Sequence, residues 1–376
     1  MIVRLLFSAL IAALLLTAPA SAQLEDWWRS CTGKSDVDWD LQIKSCTSII
    51  EAQQETPLRK AIAYRNRGNA WFEKERYDQA MADYNEAIKL DPNFADAYFE
   101  RGRTWYYGFG SARRAIGDYS EAIRLNPDHA DAYFFRAYAW RLLDDTDRAI
   151  ADMTEVIRIE PTNVEAYMLR GGDWYLKGEY DRAIADFTDA IRIDPNEGKA
   201  YGWRARAWLA KGETDRAIAD YSEAVRVEPK VADHPADRGF AYFYHNEMPA
   251  AAADLDSAIK MNVEGFKAID AALFRHLARA RSGQDATAEL AEHYGTFKGS
   301  HPVFELYLGR GTAEAVLNGT SRSARCEAEF YVGQWHLMRG DRAQARNFLQ
   351  RAAQDRCRPA ARVYFGAVYE LKRLQP

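Results

Sequence analysis

The residues of this chain able to do chemistry are seven histidines, four cysteines and a recurring pair of arginine and aspartate. His129, His234, His245, His276, His293, His301 and His336 are scattered. None begins an H-E-x-x-H motif or stands at ligand spacing from a cysteine, so no metal site is expected. There is no phosphate-binding loop, no G-x-S-x-G and no cysteine in a nucleophile's setting. His293 and His301, with Glu292 and Glu305 nearby, gather polar groups in one irregular stretch, which reads as solvated loop. No catalytic, metal or cofactor-binding residue is assigned, and no cofactor is expected.

The cysteines fall as two local pairs, Cys31/Cys46 and Cys326/Cys357, without the C-x-x-C spacing of redox or zinc sites. Two structural disulfides are expected in an oxidising compartment. The first 22 residues support that address: Arg4, an apolar run Leu5–Leu16, and the small residues Ala20, Ser21 and Ala22. This is the pattern of a cleaved export signal, too short to span a bilayer as a helix of about 20 residues. A retained anchor is the other reading. The chain is expected to be exported, to a bacterial periplasm, with no membrane span after cleavage. Its 376 residues are 48% apolar and 28% charged, with a net charge of −5. No basic block points to nucleic acid.

Those residues are positioned by a 34-residue period. Repeats begin at Ala61, Ala95, Ala130, Val164, Gly198 and Ala232. Position four is Tyr64, Tyr98, Tyr133, Tyr167, Tyr201, then Pro235; position eight is Gly or Ala; position eleven is Trp71, Trp105, Trp140, Trp174, Trp208, then Tyr242. Position twenty is always Ala, and Pro92, Pro127, Pro161, Pro195 and Pro229 close five repeats. Spacings of four, seven, eight and eleven share one helix face, so each repeat reads as a helical hairpin stopped by proline. Repeat two carries one extra residue in its hairpin turn.

Position seven is Arg67, Arg101, Arg136, Arg170, Arg204 and Arg238, and position twenty-three is Asp83, Asp118, Asp152, Asp186, Asp220 and Asp254. These predict a bidentate Arg–Asp pair inside every hairpin. Its expected role is structural.

The W…L-G…Y…A…F…A…P pattern resembles the tetratricopeptide repeat, over about 205 residues and six copies. The resemblance implies an all-α, right-handed superhelical solenoid of stacked antiparallel hairpins with helical caps. Arg at position seven departs from the family's usual Leu. The expected division is 1–22 signal, 23–60 a disulfide-stapled half-repeat cap, 61–265 six repeats, 266–325 an irregular helical segment, and 326–376 a final hairpin with a capping helix. Within the cap, Asp40–Glu51 reads as a helix in the frame of later second helices. Helices are expected at Val303–Leu308 and Ala313–Leu317, then a hairpin over Cys326–Ala353 and a capping helix over Ala360–Leu371. This order is similar to periplasmic tetratricopeptide lipoproteins, which implies an adaptor for a cell-wall hydrolase or a protease. The lipid-attachment cysteine of those proteins is missing.

The family binds partners in the groove lined by its first helices, at positions two, five, nine, twelve and thirteen. Here these are Phe99, Arg103, Tyr106, Tyr107, Phe134, Tyr138, Tyr175, Arg206, Phe240, Phe243 and Tyr244, edged by Asp96, Asp131, Glu165 and Asp233. The alternative for any of these rings is packing against the next hairpin. The family's clamp for a terminal carboxylate starts with Arg65 and Asn69, then fails at Glu100, Asp131 and Phe135. An aromatic wall with an acidic rim suits an extended peptide or partner helix bearing positive charge. The leading expectation is a non-enzymatic protein- or peptide-binding scaffold of the bacterial envelope. The alternatives are an envelope-assembly component recognising glycan or peptidoglycan, and a hydrolase using residues 293–305. The oligomeric state stays open.

Overall fold

A computed structural model describes residues 20–33, 38–296, 302–318, 324–357 and 361–375, and every regular element among them is helical. The expected export signal lies outside the described residues except for 20–22, and so does His301. The helices fall in two compact units, Met1–Ala166 and Tyr167–Pro376.

In the first unit, α1 (Ala20–Cys31) and α2 (Trp39–Glu51) precede the hairpins α3 (Pro57–Glu73) with α4 (Tyr77–Leu90), α5 (Ala95–Arg103) with α6 (Ala112–Leu125), and α7 (Ala130–Leu142) with α8 (Thr146–Ile159). Asp38 caps α2 by accepting from the Asp40 and Leu41 N–H groups at 3.0 and 3.1 Å. Thr56 caps α3, with Pro57 in its first turn. Cys31 and Cys46 form a disulfide joining α1 to α2.

The extra residue of repeat two is absorbed as a π-helical turn, Thr104–Gly108, at the end of the first helix. A π turn accommodates a single inserted residue without shifting the register that follows. The hairpin turns each hold a left-handed residue: position fifteen in Glu75 and Asp144, both at φ 58°, and one place later, after the inserted residue, in Gly110 at φ 60°.

The second unit begins within α9 (Val164–Leu176) and continues with α10 (Tyr180–Ile193), α11 (Gly198–Lys211), α12 (Thr214–Val227), α13 (Asp233–His245) and α14 (Met248–Lys260). Beyond the period come α15 (Gly265–Arg281), α16 (Thr287–Thr296), α17 (Pro302–Tyr307), α18 (Ala313–Asn318), α19 (Arg325–Met338), α20 (Arg342–Ala352) and α21 (Ala361–Arg373). Gly333 meets Leu349 as Gly239 meets Leu255, so α19 and α20 keep the packing of a repeat. Cys326 and Cys357 bridge that hairpin. α21 packs on α20, α19 and α13, so it covers a repeat as well as the final hairpin.

Within hairpins, close approach depends on small residues at position eight. A Cβ on Gly68 would lie 2.6 Å from the Tyr84 ring, and one on Gly171 would lie 2.7 Å from Phe187. Tryptophans at position eleven lie under guanidiniums of the second helix: Arg114 over Trp105, Arg148 over Trp140, Arg182 over Trp174 and Arg216 over Trp208, at 4.5–4.7 Å.

All six expected Arg–Asp pairs are present and bidentate. Arg67 reaches Asp83 at 2.8 and 2.7 Å, Arg101 reaches Asp118 at 2.8 and 2.7 Å, and Arg136 reaches Asp152 at 2.8 and 2.6 Å. In the second unit Arg170–Asp186, Arg204–Asp220 and Arg238–Asp254 span 2.6–2.9 Å. A third nitrogen ties the fork to the preceding second helix. Arg67 donates to Thr47 Oγ1, Arg101 to Asn85 Oδ1, Arg136 to Ser120 Oγ and Arg204 to Thr188 Oγ1, at 2.8–3.1 Å. One guanidinium therefore fixes three helices, a load a leucine could not carry. Burial raises the carboxyls of Asp83, Asp152 and Asp186 above their ordinary value, with the paired arginines acting against it.

Candidate functional site

The residues proposed for the inner wall divide sharply by environment. In the first unit, Tyr107 is 53% exposed, while Tyr106, Phe134 and Tyr138 are half-buried. Their rings form a chain across the first helices. Phe72 on α3 meets Tyr107 at 6.4 Å, Tyr107 meets Tyr106 at 4.9 Å and Phe135 at 6.2 Å, Phe135 meets Phe134 at 5.7 Å, and Phe134 meets Tyr138 at 5.2 Å. Tyr138 donates to Glu165 at 3.1 Å, and its phenol is pushed up to about 12 by burial and by that carboxylate. Arg103 lies over Phe72 at 4.8 Å and over Phe135 at 5.8 Å, paired with Glu100 at 2.9 Å. Asp96, Asp131 and Glu165, also on first helices, are exposed, and Asp96 is paired with Arg65 at 3.4 Å. Phe99 is a correction: at 7% exposure it packs on Tyr119, His129 and Phe135 and offers no surface.

In the second unit, Phe240, Phe243 and Tyr244 are 2%, 1% and 3% exposed, so they are core and not wall. Phe274 of α15 meets all three rings, and Tyr369 of α21 stacks on Tyr244 at 5.7 Å. Tyr244 donates to the Arg362 carbonyl at 2.7 Å, and Tyr369 to the Leu209 carbonyl at 3.3 Å. Tyr175 is half-buried against Tyr180 and Trp203. Arg206 is neutralised by Asp237, which Lys267 also holds at 3.1 Å. Burial alone would raise the Asp237 carboxyl, but these two cations bring it below its ordinary value.

The irregular stretch is a second correction. The two helices expected there are present as α17 and α18, but the described residues are not solvated loop, since α17 contributes buried Val303, Phe304, Leu306 and Tyr307 to the core of the second unit. His293 is half-buried, and burial lowers its pKa. Among the described residues no three His, Cys, Asp or Glu side chains converge as metal ligands.

The sequence pattern did not single out a cavity of about 210 Å³ in the first unit, lined by Gln42, Arg65, Asn69, Phe72, Glu100 and Arg103 among others. Arg65 and Asn69, which open the clamp pattern, were its one visible signal. Gln42 belongs to α2, where in the frame of the later second helices it takes the place of the position-twenty Ala.

Comparison with known proteins defines the class. Residues 68–107 match the TPR repeat family, and residues 106–164 and 174–232 match the tetratricopeptide repeat family. The chain is a tetratricopeptide-repeat protein. It is similar to a protein SGT1 homolog of Oryza sativa subsp. japonica, 37% identical over 67 residues, which span 18% of this chain and 17% of that relative. Among solved structures it resembles the C-terminal part of a TPR repeat-containing protein from Cytophaga hutchinsonii. That match has a TM-score of 0.55 at 19% identity and covers 66% of this chain and 97% of the other. It also resembles MamA, with a TM-score of 0.43 at 27% identity, covering 45% of this chain and 92% of the other. Two disulfides fit an oxidising, non-cytoplasmic setting, and among the described residues no helix is long and apolar enough to cross a membrane.

Proposed function

We propose that this chain is a non-catalytic scaffold of the bacterial envelope, exported to the periplasm, which binds a protein segment along the ring chain of its first unit. The observation that carries the reading is the run of contacting rings from Phe72 through Tyr107, Phe135 and Phe134 to Tyr138. Three successive hairpins contribute to it, and it keeps exposed area where Phe240, Phe243 and Tyr244 of the second unit are consumed by core. Rigid aromatic side chains give contact area at low entropic cost, which is why they dominate recognition surfaces. The exposed carboxylates of Asp96, Asp131 and Glu165 favour a segment with Lys or Arg. A cell-wall hydrolase or protease is the partner class implied by the resemblance of the C-terminal order to periplasmic adaptors.

Selection of random peptides on the intact oxidised chain tests this. Basic, extended peptides should be enriched, and their binding should be lost when Tyr107, Phe134 and Tyr138 are changed to Ala. Enrichment that survives this triple change would place recognition elsewhere. Retention on isolated cell-wall sacculi without any peptide binding would favour glycan recognition.

A further inference from the structure

The cavity at the start of the first unit carries polar groups that the fold itself does not satisfy. The Nε atoms of Arg65 and Arg103 and the Oε1 atom of Gln42 are buried without a hydrogen-bond partner. Buried polar groups left unpaired cost about 1–3 kcal/mol each, so three around one cavity call for an explanation. Gln42 is 6% exposed, and its orientation is fixed because Nε2 donates to the carbonyls of Cys31 at 3.0 Å and Asn66 at 3.3 Å. Oε1 is therefore the end left as an acceptor. Asn69 uses its carbonyl oxygen on the Tyr84 hydroxyl at 2.9 Å, which leaves its NH2 as a donor.

The charges are balanced. Two guanidiniums, Arg65 and Arg103, face two carboxylates, Glu73 and Glu100, in the same lining. Burial pushes the Glu100 carboxyl above its usual range, a direction that an incoming cation would reverse. The volume, near 210 Å³, equals the liquid share of roughly seven waters, room for a small molecule of about that many heavy atoms.

We propose that this cavity binds a small zwitterion, a free α-amino acid. Its carboxylate is taken by Arg65 and Arg103, and its ammonium by Gln42 Oε1 with Glu73 and Glu100. Arg103 already pairs with Glu100 at 2.9 Å and Arg65 with Asp96 at 3.4 Å, so what the fold leaves open is the two Nε donors and the Gln42 Oε1 acceptor. A simple carboxylate would leave Gln42 Oε1 unpaired, and a simple ammonium would leave both Nε groups without an acceptor. The site adjoins the ring chain and shares Phe72 with it, but the proposal stands whether or not that surface binds a peptide.

Saturation-transfer NMR and calorimetry on the intact oxidised chain test it with the standard amino acids in L and D forms. For the tightest binder, its N-acetyl derivative and its α-amide are then compared. The expected result is binding of one or a few free amino acids, weakened at least about tenfold by either block and by Arg103→Gln or Arg65→Gln. Circular dichroism and urea midpoints establish that each variant is folded. Three results overturn the proposal: no binding by any member, equal binding of the N-acetyl form, or unchanged affinity in both folded variants. Equal binding of the N-acetyl form would show that the cavity reads a carboxylate alone, as a peptide terminus would supply.

Discussion

Tyr244 and Tyr369 lie ring on ring, centroids 5.7 Å apart and planes within 7°. A residue at a groove position of the sixth repeat is thus covered by the last helix, although the two are separated by more than a hundred residues. Arg373 adds hydrogen bonds to the carbonyls of Phe243, at 3.1 Å, and Tyr244. α21 is bound to the ends of α11 and α13 through backbone acceptors as well as rings.

Replacing Tyr369 by Ala removes the stack and the hydroxyl that joins Thr214 and Leu209. Truncation of a packed aromatic costs about 3 kcal/mol. Urea unfolding should show a loss of about that size, with faster amide exchange in residues 361–373. Unchanged exchange there would show that the stack does not hold α21.

The Arg–Asp ladder should behave as coupled pairs. Arg204→Ala leaves Asp220, 6% exposed, without its counter-ion, and should cost about 3 kcal/mol. In a double-mutant cycle with Asp220→Ala the coupling should be about 1–3 kcal/mol. Additive losses would mean that the two side chains contribute separately.

Stability should fall on mild acidification through His276. Burial lowers its pKa below the ordinary 6.5, helped by Arg275 and opposed by the Ala286 carbonyl and Asp285. The folded state holds the ring neutral, so between its folded pKa and 6.5 the unfolded chain binds more protons. Stability is then fully present above about pH 7 and declines as pH drops below 6.5. His276→Gln should flatten the dependence of the urea midpoint between pH 7 and 5.5. The same slope in both proteins would assign it to other groups.

Serines at Cys31 and Cys46 should cost about 3 kcal/mol, the closure entropy of a loop whose ends are 15 residues apart. The loss should appear as early exchange of residues 20–51, with the second unit unaffected. Uniform destabilisation would show that the bridge holds more than the entry to the array.

How much of this was legible follows from sequence distance. Tyr64, Gly68, Trp71 and Arg67 recur at a fixed spacing, so helix faces, hairpins and the Arg–Asp pairs could be read before any coordinates. The third arm of each arginine was harder, because its acceptor changes type: Thr47, Asn85, Ser120 and Thr188 share a position and a hydrogen-bond acceptor but no residue name. Tyr138 and Phe240 both occupy position nine, yet one belongs to the half-exposed ring chain and the other is buried under Phe274. Nothing local separates them. The difference is made by α15 and α21, whose contacts to α13 obey no period.

The most direct measurement is the affinity of one selected basic peptide for the intact chain and for two sets of variants. The account predicts a loss of at least about tenfold when Tyr107 and Tyr138 are changed to Ala, and no change when Tyr175 and Arg206 are. Equal affinity across both sets, or a loss confined to Tyr175 and Arg206, would contradict recognition by the ring chain of the first unit.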